Sequence, residues 1–573
     1  MLFVFLLALP LAARGQVPPD RAAEVLAHRG MVVAQEAQAA RIGADILKKG
    51  GNAVDAAVAV GFALAVTYPR AGNLGGGGFM LIHRARGEDV AIDYRETAPQ
   101  AIGPTSFLDA QGNADPHKSR NSALGIGVPG TVAGLALAER KYGSGRLTLA
   151  QLIAPAIALA RDGFPVTPQT LLKPPADPSR LSRWPSSAKI FLHPDGTALA
   201  PGETLRQGDL AQTLKTIARG GPRVFYRGAI AHKIVATVRA AGGVMTAEDL
   251  KNYRAVLRRP LNGRYRGYHI VAMPPPSSGG VMLLQMLNIL EGYDLAREDE
   301  TQTLFLMIEA MKRAYADRAL FLGDPDKVKN PVARLTSKRY AAKMRATIDP
   351  THATPADKIR AGGAVDTEGR NTTHFSVADR FGNAVANTYT LNFNYGVGLV
   401  AGGTGVLLNN ELDDFAAKPG APNAFGLTGF HANAPGPGKR PLSSMTPTIV
   451  FKDGKPFLIT GSPGGSHIPT AVLQVIVNVI DRRMSIADAV AAPRIHDQWT
   501  PDVVFAEPAL SPAVVAALQA RGDTVKVQRP FTSANSILVT RDGFAGAADP
   551  RGGGALAVGY RQSTPSLGIP RAH

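Results

Sequence analysis

Thr372-Thr373-His374-Phe375-Ser376-Val377-Ala378-Asp379-Arg380-Phe381-Gly382-Asn383-Ala384-Val385-Ala386-Asn387-Thr388-Tyr389-Thr390-Leu391-Asn392 is the stretch on which the rest of the reading depends. Thr373, Phe375 and Val377 alternate with His374, Ser376 and Ala378, the period of two expected of a strand. Arg380-Phe381-Gly382-Asn383 reads as a turn, and the alternation resumes from Ala384 to Asn392. A short hairpin centred on Phe381 sets Thr372 opposite Thr390, with Asn392 on the face of Thr390. A slip of one residue would undo that pairing. Taken locally, Asn371-Thr372-Thr373 also reads as a plain strand start or an N-glycosylation sequon. A cut between Asn371 and Thr372 would change its chemistry. A threonine hydroxyl is a poor nucleophile, but a freed α-amine, with a pKa of about 7.7–8.0, can act as base for its own side chain.

The residues before this stretch suit such a cut. From about 347 to 371 the chain turns polar, with Asp349-Pro350, Thr354-Pro355, Gly362-Gly363 and Gly369 crowding a short span, which reads as an exposed loop. Farther upstream, Ala37, Ala40, Ile42, Ile46 and Leu47 share a helical face that Gly50-Gly51 ends. Asn52 is placed to cap a buried helix from Ala53 to Val66. Strands follow at Met80-Leu81-Ile82 and Val90-Ala91-Ile92. The middle, from about Leu147 to Leu320, reads as mostly helical, as in Leu149 to Arg161 and Thr301 to Leu320. The Pro/Ser/Gly run from Met273 to Gly280 cannot be helix interior.

Whole-chain properties narrow the class. At 573 residues, 45% hydrophobic and 19% charged, the chain is an ordinary globular protein able to bury a large core. The apolar run Met1 to Leu9 is too short to span a bilayer and fits a signal-peptide core, although no Lys or Arg precedes it. Ala13-Arg14-Gly15 would allow cleavage before Gln16. No other stretch is long and apolar enough for a membrane span. The chain has no cysteine, which removes disulfides and thiol catalysis. The net charge of +18 is scattered, with no run of five or more basic residues, so it argues for a solvated basic surface and not for nucleic acid. Its twelve histidines lack metal-binding spacing. Neither a metal nor a cofactor is expected.

Several clusters supply candidate site groups. Asn73 to Gly78 lacks the Lys-Ser/Thr of a phosphate loop and reads as a tight turn or close backbone packing. Gly461-Ser462-Pro463-Gly464-Gly465-Ser466 joins an apolar strand (Phe457 to Thr460) to a helix-like run (Thr470 to Ile480), where successive glycine N–H groups can stabilise an oxyanion. Pro441-Leu442-Ser443-Ser444-Met445 offers two hydroxyls. Glu411-Leu412-Asp413-Asp414 offers three carboxylates, and Arg95 follows a strand. Singly these are surface charges or caps. Together they supply cation and hydroxyls for a carboxylate, and anions for an ammonium, as an amino-acid head group requires.

With these residues in view, the chain resembles the γ-glutamyltransferases (γ-glutamyl transpeptidases) from about Gly30 to about Tyr560. The resemblance is carried by Gly50 to Ala57, Gly72 to Phe79, Met273 to Gly280, Thr372-Thr373-His374, Pro441 to Met445 and Gly461 to Gly465. It implies an N-terminal nucleophile hydrolase: an α+β fold, specifically an αββα four-layer sandwich, made as a self-cutting precursor. The implied parts are a signal peptide (1–15), a large subunit (16–371, ending in the polar loop) and a small catalytic subunit (372–573), the last two associating as a heterodimer in the periplasm or outside the cell. Thr372 would be the nucleophile in both the self-cut and catalysis, Thr390 would orient it, and Gly464 and Gly465 would donate to the oxyanion. Arg95, Ser443 and Ser444 would hold the substrate α-carboxylate, and Asn392, Glu411 and Asp414 its α-amine. Glutathione and other γ-glutamyl compounds are the implied donors, with water, amino acids or peptides as acceptors.

Two residues depart from many bacterial relatives, which carry Gln in place of Glu411 and Tyr in place of Phe425, within a lid-like stretch from Pro419 to Gly429. One competing reading is a related acylase acting on glutaryl side chains of β-lactams. Glutaryl lacks the α-amine, so Glu411 and Asp414 would be buried without a counter-charge, which is costly. The other is a non-catalytic binding protein on the same fold, which would be expected to lack some of these groups.

Overall fold

The computed structural model describes residues 21–171, 178–359, 372–529 and 532–560. The signal-peptide segment and the part of the polar loop from 360 to 371 lie outside them. The part of that loop before 360 is largely exposed, as expected.

Two seven-stranded sheets form the centre. The first runs, edge to edge, Leu556–Tyr560, Gly30–Ala34, Thr373–Asp379, Ala384–Thr390, Gly77–Arg84, Glu88–Asp93 and Val256–Arg258, antiparallel throughout. The second runs Glu24–Ala27, Gly543–Ala547, Ser536–Thr540, Lys455–Thr460, Thr448–Lys452, Tyr268–Ala272 and Leu261–Tyr265, also antiparallel.

Alternation along the strands builds the layers. Val32, Met80, Ile82, Ile92, Phe375, Val377 and Val385 face a core shared with the helices Ala37–Lys48, Ala53–Thr67, Thr131–Tyr142 and Leu149–Asp162. Their neighbours Met31, Val33, Phe79, Leu81, Ala91, Ala378 and Ala386 face the other way, onto Val271, Ile449, Phe451, Ile459 and Ile537 of the second sheet and Met273 just past it. The second sheet's outer face packs on Gly279–Leu290, Glu300–Phe321 and Ile468–Ile480. The result is a four-layer αββα sandwich. Strands buried on both faces explain why these segments are apolar almost throughout.

The local expectations hold closely. Asn52 caps its helix through a reciprocal box with Asp55. The central hairpin takes the expected register, with Thr373 opposite Tyr389 and Ala378 opposite Ala384. The middle of the chain needs one correction. Besides its helices it contributes Leu261–Tyr265 and Tyr268–Ala272, a hairpin turned by Arg266 and Gly267, both at positive φ. Met273 to Gly280 joins this hairpin to helix Gly279–Leu290.

Candidate functional site

Parity fixes where the hydroxyls go. Thr372 immediately precedes strand Thr373–Asp379 and shares the face of His374, Ser376 and Ala378; Thr390 ends the partner strand on the face of Ala384 and Ala386. Both therefore point into the space between the sheets, at one end of the central hairpin.

Thr390 is anchored through its side chain and its backbone. Its Oγ1 accepts the Asn392 N–H at 2.8 Å, and its carbonyl accepts Asn73 Nδ2 at 2.8 Å. Asn392 sits at φ 76°, a left-handed conformation that asparagine tolerates. Its Nδ2 donates to the Asn410 carbonyl at 3.0 Å. The glycine cluster beside this strand end is packing, as expected. A Cβ on Gly76 would stand 2.1 Å from the Thr390 carbonyl oxygen, and one on Gly75 2.0 Å from that of Leu407.

The charged groups converge from distant segments. Arg95, just past strand Glu88–Asp93, is fully buried and contacts Glu411 through Nη1 and Asp414 through Nη2, the latter at 2.5 Å. Its Nε donates to the Pro441 carbonyl at 3.1 Å. Glu411 and Asp414 share one tight helical turn, placed by the Asn409 side chain, which accepts the Glu411 N–H at 3.0 Å. Asp413, between them, turns away to Ser119 at 2.5 Å and Arg120. Two of the three carboxylates thus reach the cleft.

Burial raises the pKa of both Glu411 and Asp414, and Arg95 pulls each back towards ionisation. Burial works against the charge on Arg95, but its carboxylate neighbours outweigh it and raise its pKa. Beside them Glu96, also fully buried, is pushed by burial up to about 7 despite Arg95 at 3.8 Å.

Two loops complete the walls. The Ser443-Ser444 loop is bedded on the Met273 to Gly280 motif: Ser443 N–H donates to the Pro276 carbonyl at 2.8 Å, Ser278 Oγ to the Ser443 carbonyl at 2.7 Å, and Ser277 Oγ to the Met445 carbonyl at 2.5 Å. Opposite lies the turn between strand Lys455–Thr460 and helix Ile468–Ile480, where Gly464 (φ 134°) and Gly465 (φ 57°) take conformations that favour glycine. Both are buried, and among the described residues neither N–H has an acceptor. Two donors kept unpaired in this way are what a developing oxyanion needs.

His374 ties this turn to the hairpin. Its Nδ1 meets Thr388 Oγ1 at 2.8 Å and its Nε2 meets Ser376 Oγ at 3.0 Å, while Gly461 packs against the ring. Burial lowers its pKa to about 3, so it is a neutral brace and not a base at neutral pH.

Arg95, Thr372, Thr390, Asn392, Glu411, Asp414, Ser443, Ser444 and Gly465 all line one cleft, and Gly464 precedes Gly465 in its loop. The space between them is narrow, about 20 Å³, room for about one water. Phe425 and Leu427 also line it. The Phe425 ring stacks on Phe393 at 5.5 Å and lies against Gly465, and its carbonyl accepts Gln498 Nε2 at 3.0 Å. Sequence reasoning missed Arg318, Met445 and Ile468. Met445 and Ile468 adjoin the serine and glycine motifs and were within reach; Arg318 had no local signal.

A family model for gamma-glutamyltranspeptidase matches residues 39–559. The chain belongs to this family. It is 50% identical over 539 residues to the glutathione hydrolase proenzyme of Escherichia coli (strain K12), covering 94% of this chain and 93% of that one. It is 47% identical over 553 residues to the glutathione hydrolase proenzyme of Pseudomonas sp. (strain A14), covering 94% and 95%. Among solved structures it is similar to cephalosporin acylase from Bacillus halodurans, with a TM-score of 0.82 and 29% identity over 97% of this chain and 99% of that one. The sandwich is of the N-terminal nucleophile hydrolase type, and this gamma-glutamyltranspeptidase family member is an enzyme. No helix among the described residues is long and apolar enough to cross a membrane.

Proposed function

We propose that the chain is the precursor of a γ-glutamyltransferase, exported behind a signal peptide (1–15) to the periplasm or beyond. The precursor cuts itself between Asn371 and Thr372 into subunits 16–371 and 372–573. The Thr372 hydroxyl attacks the Asn371 carbonyl carbon, and the C–N bond breaks to free the Thr372 α-amine and leave an ester on Thr372 Oγ1. Water then hydrolyses that ester, releasing the Asn371 carboxylate and restoring the hydroxyl. That amine then takes the hydroxyl proton of Thr372 in each turnover.

In catalysis Thr372 Oγ1 attacks the γ-carbonyl of glutathione or a related γ-glutamyl amide. The Gly464 and Gly465 N–H groups receive the negative charge that develops on the carbonyl oxygen. The Thr372 ammonium returns its proton to the leaving amine, and a γ-glutamyl ester remains. Water, an amino acid or a peptide then resolves it. Thr390, with one lone pair committed to the Asn392 N–H, orients the nucleophile. Asn392, Glu411 and Asp414 receive the α-amine, and Arg95, Ser443 and Ser444 the α-carboxylate.

The observation that carries this reading is the placement of two buried carboxylates, Glu411 and Asp414, in the cleft that Thr372 lines. It also favours γ-glutamyl over glutaryl substrates. Among the described residues Arg95 alone forms ion pairs with the two carboxylates, and the ammonium of a γ-glutamyl head group adds a second counter-charge that glutaryl does not bring.

The test has two stages. Intact mass should show the wild type cut before Thr372 and Thr372→Ala uncut. A γ-glutamyl anilide should then be hydrolysed far faster than the matching glutaryl anilide; an uncut wild type, or a preference for glutaryl, sinks the proposal.

A further inference from the structure

The cleft holds a second guanidinium that the proposed reaction does not use. Arg318 lies near the end of helix Glu300–Phe321, is 3% exposed, and lines the cleft with Asp414, Ser443 and Ser444. Its Nε donates to Ser278 Oγ at 3.2 Å. Among the described residues neither Nη group has an acceptor, and no carboxylate lies within ion-pair distance. Burial lowers its pKa to about 10, which leaves it charged at neutral pH.

Arg95 is placed differently. Each of its three nitrogens already has an acceptor, in Pro441, Glu411 and Asp414. A carboxylate arriving at Arg95 must share those donors, whereas at Arg318 the Nη donors are open. A buried guanidinium with open donors is costly alone, and a carboxylate accepting two parallel N–H bonds matches its fork.

Position and charge agree. The Ser278 hydroxyl that accepts from Arg318 donates to the Ser443 carbonyl, so Arg318 is tied to the serine side of the cleft. Arg95 and Arg318 together oppose Glu411 and Asp414. A zwitterionic head group leaves that balance unchanged, and an anion alone or a cation alone does not.

We infer that Arg318 is a substrate-binding residue whose guanidinium pairs with the α-carboxylate of the γ-glutamyl head group beside Ser443 and Ser444, and so sets head-group specificity. This rests on the γ-glutamyl reading.

The test compares wild type, Arg318→Gln and Arg318→Lys, each first shown by intact mass to be cut, on a γ-glutamyl anilide and on the 4-aminobutyryl anilide, which lacks only the α-carboxylate. For Arg318→Gln, KM for the γ-glutamyl anilide should rise about 10- to 100-fold with kcat within about 3-fold, while kcat/KM for the 4-aminobutyryl anilide changes by less than about 3-fold. Arg318→Lys should recover part of the loss. If Arg318→Gln is not cut, Arg318→Lys carries the comparison, with a smaller KM rise confined to the γ-glutamyl anilide. Equal losses on both substrates, a fall in kcat alone, or no change would overturn the assignment of Arg318. A wild type that is cut but turns over no γ-glutamyl compound would instead overturn the reading beneath it.

Discussion

At the scale of single residues, the site rests on charges taken out of water and then paired. Glu411 shows the consequence most directly. Burial raises its pKa, whereas an incoming ammonium favours the ionised form. Head-group binding should therefore expel a proton, and KM for a γ-glutamyl anilide should fall as pH rises through the acid side of the profile. Glu411→Gln should flatten that limb while leaving the limb that the proposed mechanism gives to the Thr372 amine; an unchanged KM profile would count against Glu411 at the α-amine. Glu96 gives a stability prediction from the same physics. Its folded pKa of about 7 exceeds the ordinary 4.5, so the folded state holds a proton that the unfolded state releases. Its contribution is fully present below about pH 4.5 and is lost as pH rises to about 7. Chemical denaturation should show stability falling across that window, and Glu96→Gln should reduce the slope. These residues also show where sequence reading stops. The carboxylates at 411 and 414 stood out because they sit in one turn. Arg318 did not, since Asp317-Arg318 on a long helix looks like a solvated face, and only the fold reveals that the Arg318 side chain is buried.

At the scale of elements, the hairpin register was legible because strict alternation and a four-residue turn admit few pairings. The Leu261–Ala272 hairpin was harder, since its outer strand is half exposed and weakly patterned. The closeness of loop to strand was not legible at all, because no local pattern says that Gly461 meets the His374 ring. A Cβ at Gly461 would stand 2.3 Å from His374 Cε1. Neither group can yield easily, as the ring is held at both nitrogens. Gly461→Ala should cost about 1–3 kcal/mol of stability, the usual penalty of overpacking. It should also lower kcat more than it changes KM, because the displaced turn carries the proposed oxyanion donors, Gly464 and Gly465; stability and kcat both unchanged would show the contact to be slack. The segment around Phe425 offers a second case. It closes by aromatic stacking and by the Gln498 bond to its backbone, neither of which needs a phenolic hydroxyl. Phe425→Ala should admit water to the ester and shift products from γ-glutamyl transfer towards free glutamate, read as the product ratio at fixed acceptor concentration.

At the scale of the whole molecule, a cut before Thr372 would divide the sequence but not the sheets. Thr373–Asp379 lies against Gly30–Ala34, and Ala384–Thr390 against Gly77–Arg84, so strands from before and after the cut pair directly with each other in the first sheet. The second sheet repeats the pattern, with Thr448–Lys452 on Tyr268–Ala272 and Gly543–Ala547 on Glu24–Ala27. The inter-sheet core draws on both parts as well, Phe79 and Val271 from one, Ile449 and Ile537 from the other. Separating the parts would expose several buried strand edges and an apolar core together, which is the cost of unfolding and not of dissociation. The two fragments should therefore co-elute in native size exclusion at every dilution that leaves the fold intact, and separate only with denaturant, in the same transition that abolishes the circular dichroism of the sheets. Release of either fragment in a folded state would contradict this. The same interleaving bears on the order of events. Thr372 and Thr390 share a hairpin that lies wholly after the cut, but the strands that flank it, Gly30–Ala34 and Gly77–Arg84, and the Asn73 side chain that holds the Thr390 carbonyl come from before it. Self-cutting should therefore follow folding, and a chain stopped short of the second sheet's last strands, Ser536–Thr540 and Gly543–Ala547, should stay uncut.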